Sequence, residues 1–124
     1  MATILPVYKL GTQPWTMTAG AAITGGQVLI ISAANTVTKS AGTSVAAIGI
    51  AADDAASGAN VLVWPLEGVF EVTASGAIAA GAVVTSDANG KVATLAAGAK
   101  DLAIGKALTV AAADGDTIRV KFAS

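Results

Sequence analysis

Paired carboxylates are the first residues in this chain whose type and spacing suggest chemistry. Asp53 and Asp54 are adjacent, and Asp114 and Asp116 flank a glycine. Such pairs can begin a hard-cation site, but calcium needs about six to eight oxygen ligands, and its loops supply them at alternating positions with a closing Glu. Neither stretch has that series, so both read as solvated turns, where Asp bonds its own backbone. Lys91, after Asn89-Gly90, is the next candidate. A lysine at a tight hairpin is what a biotinyl- or lipoyl-type carrier module offers for modification, although the flanks of Lys91 do not match. Lys39-Ser40 sits in a turn and offers no spaced serine and base. Gly25-Gly26 lacks the spacing and the following Lys-Ser/Thr of a phosphate loop.

The chain has no His and no Cys. That removes the commonest general base, the commonest transition-metal ligand, thiolate chemistry and disulfides together. No enzyme is expected, and no cofactor or metal is required. Charge is sparse and balanced, 7 Lys plus Arg against 8 Asp plus Glu, and is scattered along the chain. Nothing here builds a field for nucleic acid or anionic lipid. The uncharged run between Lys9 and Lys39 contains Pro14, several Gly and Thr and two Gln, so it is no membrane-spanning helix. The N-terminus has no basic leader followed by an apolar stretch, and an intracellular product is expected. Low charge and many small residues suit a chain that buries much of its surface in an assembly.

The apolar residues fall in short runs: QVLIIS, SVAAIGIA, NVLVWPL, GVFEVTA, GAVVTS and DTIRVKF. They are rich in Val and Ile and separated by Gly, Asn and Asp turns, which predicts strands. Alternation is clearest at the end, where Ile118, Val120 and Phe122 face one way and Thr117, Arg119 and Lys121 the other. The runs repeat. Ile23, Gly26, Val28 and Val37 match Ile78, Gly81, Val83 and Val92 at a constant spacing of 55 residues. After one inserted residue Ile48-Gly49 matches Ile104-Gly105, and after one more Gly58, Val61 and Val63 match Gly115, Ile118 and Val120. The expected fold is all-β: a small single-domain barrel or sandwich of two quasi-repeated halves, residues 18–66 and 73–122, within a domain spanning 18–124. Neither half is expected to cover its apolar face alone. Gly49 and Gly105 should mark bends or close backbone approaches.

Residues 1–17 differ in character. They hold Leu5, Pro6, Tyr8, Leu10, Pro14 and Trp15, and both prolines favour extended chain. This segment is either an ordinary first strand or frayed terminus, or an N-terminal arm that lies on a neighbour, with Tyr8 and Trp15 leading because aromatics dominate binding energy. Trp64, followed by Pro65, ends the last strand of the first half where the second half has Lys121. It suits core or junction packing; the alternative, an aromatic ligand site built around it, lacks an accompanying set of convergent polar groups.

The segments GAAITGGQVLI, GAIAAGAVVTSDANGKV, AIGIAADDAASGANVLVWPLEGVFEV and LAIGKALTVAAADGDTIRVKF, spanning residues 18–122, resemble the head decoration, or capsid cement, proteins of tailed bacteriophages. The resemblance implies a small β-barrel made in the host cytoplasm and carried on the outer capsid surface of the virion. It implies the major capsid protein as partner, a homotrimer, and no nucleic acid or membrane contact. The candidate capsid or subunit contacts are then Leu5, Pro6, Tyr8, Leu10, Pro14, Trp15 and Trp64. The rival from another class is the carrier module. Co-expression with a biotin or lipoyl ligase should leave the intact mass unchanged, and an added group on Lys91 would restore the carrier reading.

Overall fold

Short Val- and Ile-rich runs cut by Gly and Asn turns cannot sustain helices, and in the computed structural model they form strands. The structure describes residues 14–44, 46–96 and 100–122. The first half contributes β1 (Trp15–Ala19), β2 (Val28–Ala33), β3 (Thr36–Lys39), β4 (Ala47–Ala51) and β5 (Asn60–Pro65). The second contributes β6 (Gly68–Thr73), β7 (Val83–Ser86), β8 (Val92–Thr94), β9 (Gly105–Ala107) and β10 (Thr117–Phe122), with one 3-10 turn at Lys100–Leu102. The turns use the left-handed backbone where the sequence supplies residues that tolerate it, at Asn35 and at Asn89-Gly90.

The first half closes into a barrel in the order β1-β3-β2-β4-β5, with β5 returning antiparallel to β1. The β1–β3 pair is parallel, Ala19 opposite Val37. The second half runs β6-β10-β9-β7-β8, and a single parallel bridge, Ala74 to Val92, stands where the first half has Ala19 and Val37. The hydrogen bonds repeat as well. Gly20 N donates to Val37 O at 2.8 Å and Ser75 N to Val92 O at 2.9 Å. The Ile23–Ala55 bridge has its counterpart in Ile78–Ala111. The internal repeat is therefore a repeat of fold and of register.

Each half has its own interior. Met17, Ala19, Ile23, Leu29, Val37, Ala51, Val61 and Val63 fill the first barrel. Val72, Ala74, Ile78, Val84, Val92, Ile104, Ala107, Ile118, Val120 and Phe122 form the second core, which also takes in Val28, Ile50 and Leu66 from the first half. The first half curls on itself around its inner face, while Val28 and Ile50 on its outer face are covered by the second half. Small residues on its inner face, Ala19 and Ala51, allow the sheet to close tightly. Gly49 is the second requirement, because a Cβ there would run into the carbonyl oxygen of Trp64 and the side chain of Val63. Gly105 repeats this, with Lys121 O 2.6 Å from where its Cβ would lie.

The segment read as an arm over 1–17 meets the barrel earlier than that boundary. Trp15, Thr16 and Met17 are in β1, paired with Val63, Leu62 and Val61. Replacing Gly49 by Ala should cost about 1–3 kcal/mol of unfolding free energy, the usual range for overpacking. Gly76→Ala, where the added methyl meets nothing within 4 Å, should stay within about 0.5 kcal/mol. Urea unfolding of the two variants checks the contrast.

Candidate functional site

The carboxylate loops are built as turns. Asp54 Oδ1 accepts from Gly25 N at 2.8 Å, and Asp116 Oδ2 accepts from Ala112 N and Ala113 N at 2.8 and 3.1 Å. Asp114 pairs with Lys91 at 2.8 Å. Among the described residues no group of three or more His, Cys, Asp or Glu side chains could hold a metal. No helix among them is long and apolar enough to cross a membrane.

The Asn89-Gly90 turn before Lys91 is not held out to a modifying enzyme. Gly90 is buried between the halves, accepting from Val28 N at 2.9 Å and donating to Ser40 O at 3.0 Å. Ser40 is fully buried, and its hydroxyl donates to Asp87 O at 2.6 Å, which makes it a junction residue. Ser86, also fully buried, donates through Oγ to Gly42 O at 3.0 Å. These bonds tie the first half to the second through buried polar groups that are each satisfied. Beside them lies a polar cleft of about 380 Å³, lined by Thr24, Gln27, Glu71, Asn89 and Lys91 among others. Gln27 is already engaged there, accepting from Thr24 N and donating to Asn89 O.

The sequence-derived contact residues separate into three groups. Leu5, Pro6, Tyr8 and Leu10 lie outside the described residues. Pro14 and Trp15 are half-buried at the start of β1, with Trp15 packed on the first core. Trp64 is half-buried at the junction, packed on the second core with its ring 6.0 Å from that of Phe70. Phe70 in turn lies 6.1 Å from Phe122. The structure thus places Trp64 in the junction and does not bring it together with Trp15 on one surface patch.

Lys106 is on β9, an interior strand between β10 and β7. It belongs to a row that sequence reasoning missed, running across four strands of the second half: Val69 opposite Lys121, Lys121 opposite Lys106, Lys106 opposite Val83. All four side chains are exposed. Leu108 and Val110, 48% and 64% exposed, follow on the adjoining chain. The signal available in sequence was the mismatch of Trp64 with Lys121 between otherwise matching halves.

The comparison that decides the family is a match of residues 7–122 to phage cement proteins. The chain belongs to the phage cement protein family. This cement protein is also similar to a solved structure, the N base of the head fibre gp8.5 of bacteriophage phi29, with a TM-score of 0.74 and 17% sequence identity. That likeness covers 91% of this chain and 95% of the other and concerns the fold. No curated protein matches the sequence. The cement protein is a structural component of a phage head, with an all-β fold. Trp64→Ala should weaken the junction by about 2 kcal/mol, below the range for a fully buried aromatic because Trp64 is half-buried, seen as a lower thermal midpoint. An unchanged midpoint would show that Trp64 does not hold the halves together.

Proposed function

We propose that this cement protein binds the outer surface of the assembled head, against the major capsid protein, as a homotrimer, and thereby stabilises the shell. The observation that carries the reading is the family match over residues 7–122. The twice-cored fold, tied by buried hydrogen bonds, supports it, because a surface so held loses little freedom on docking. The mechanism is linkage. A protein that binds only the closed shell stabilises it by RT ln(1 + [L]/Kd), about 2.7 kcal/mol per site at a hundredfold excess over Kd. A trimer adds to this, since one docked subunit raises the effective concentration of the other two.

Residues 1–13 are proposed as a strap reaching the shell or a sister subunit. Leu5, Pro6, Tyr8 and Leu10 carry that role, and the sequence supports it, since they stand outside the repeat. Pro14 and Trp15 anchor the strap where β1 begins.

Purified protein added to assembled heads lacking it should co-sediment with them and raise their thermal disruption temperature, while free coat subunits stay unbound. Light scattering of the free protein should give the mass of a trimer. Heads that bind none of it would overturn the reading. Deleting residues 1–13 should weaken head binding more than it weakens folding, with an affinity loss of about tenfold for one aromatic anchor worth roughly 1.4 kcal/mol. Normal binding by that deletion would remove the strap and leave the barrel as the docking part.

A further inference from the structure

Three cross-strand neighbours on the first half, Val28, Ile50 and Trp64, point away from its own interior. Their chain neighbours Leu29, Ala51 and Val63 fill that interior. The outward triplet is covered by the second half: Val28 and Ile50 are 0% and 2% exposed and belong to the second core, with Trp64 packed on it. The repeat maps this triplet onto Val83, Lys106 and Lys121, which pair in the same way. Their neighbours Val84, Ala107 and Val120 lie inside the second core, as expected. The outer triplet of the second half is open. A docking face that the first half uses internally is therefore repeated and left uncovered.

The residues changed between the two triplets say what this open face takes. Ile50 and Trp64 are replaced by Lys106 and Lys121, directly opposite each other on neighbouring strands. Like charges in that position repel. Neither lysine makes an ion pair among the described residues; Glu71, on the same sheet, stands opposite Arg119 instead. The lysines also oppose stacking of an apolar barrel end like the one that covers Trp64, which would otherwise extend the repeat head-to-tail into a fibre. Apolar ground remains on both flanks, Val69 at 54% and Val83 at 40% exposure, and Leu108 beside Arg119. Between the lysines and Ala103 and Gly105 is a depression of about 310 Å³.

We infer that this face, Val69–Lys121–Lys106–Val83, is a docking surface for a carboxylate-bearing protein surface, whose acidic side chains sit between the two lysines while its apolar atoms cover the valines. The inference rests on the head-binding reading and assigns the shell-facing side of the barrel. Bringing a carboxylate between Lys106 and Lys121 converts their repulsion into two attractions, and desolvation by the flanking valines strengthens both.

The test uses the full chain and assembled heads lacking it. Lys106→Glu/Lys121→Glu should lose about tenfold or more of the head affinity at low salt. The milder Lys106→Gln/Lys121→Gln should fold with a wild-type circular dichroism spectrum and bind with a flatter salt dependence. Asp53→Asn, on an exposed loop of the first half that keeps the Asp54–Gly25 bond, should bind as wild type. Wild-type affinity in both lysine variants overturns the assignment while leaving head binding intact. Self-association of the wild-type chain that the lysine variants abolish also overturns it, by making a second copy the occupant. Heads that fail to bind even the wild-type chain overturn the head-binding reading and this face with it.

Discussion

Val28, Ile50 and Trp64 lie side by side on the outside of a barrel whose inside is lined by their chain neighbours Leu29, Ala51 and Val63. Strands β2, β4 and β5 are thus apolar on both faces over these positions, and an isolated first half would expose one of them. Covering that face is what the second half does, and it fixes the relation of the halves. Apolar burial contributes on the order of 25 cal/mol per Å², so a face with Ile, Val and a tryptophan outweighs any single hydrogen bond at the junction. The polar ties through Ser40, Ser86 and Gly90 set register between the halves, because each has a satisfied partner only in this arrangement.

The same geometry explains why two glycines matter more than most of the other glycines. At Gly49 and Gly105 the next strand passes so close that any Cβ would meet its carbonyl oxygen. A closed sheet of five strands is narrow, and its interior accepts alanines at Ala19 and Ala51 for the same reason. An Ala- and Gly-rich composition, which in another pattern favours helix, here reflects the small radius of the fold. Asn35, Asn89 and Gly90 then take the left-handed turns that reverse the chain within that radius.

For a structural protein of the phage head, this division of labour is useful. Core positions are repeated and interchangeable in kind, while the outward residues differ between halves. One outward row is consumed in joining the halves, and its counterpart carries lysines in place of Ile50 and Trp64. Those substitutions are what distinguish the open row from the buried one. The carboxylates that first suggested chemistry hold turns, as Asp54 does for Gly25 and Asp116 for Ala112 and Ala113.

Much of the fold was legible along the chain. Val- and Ile-rich runs placed β2, β4, β5, β6, β7 and β10, since period-two alternation is local and needs no partner to be read. The spacing of 55 residues between Ile23 and Ile78 placed the repeat, and the close approach at Gly49 and Gly105 followed from glycines set among strand residues. The short β9, and the start of β1 at Trp15 within the segment read as an arm, were not legible, because a strand of three residues or a strand edge is defined by its partner's hydrogen bonds. Closure of the first half on itself was likewise invisible, since it depends on the parallel pairing of Ala19 with Val37, a contact distant in sequence. The open lysine face needed both sources: the sequence showed Lys121 standing where Trp64 stands, and only the tertiary structure decided which of these equivalent positions is buried, because burial is set by the neighbouring half and not by the residue's own strand.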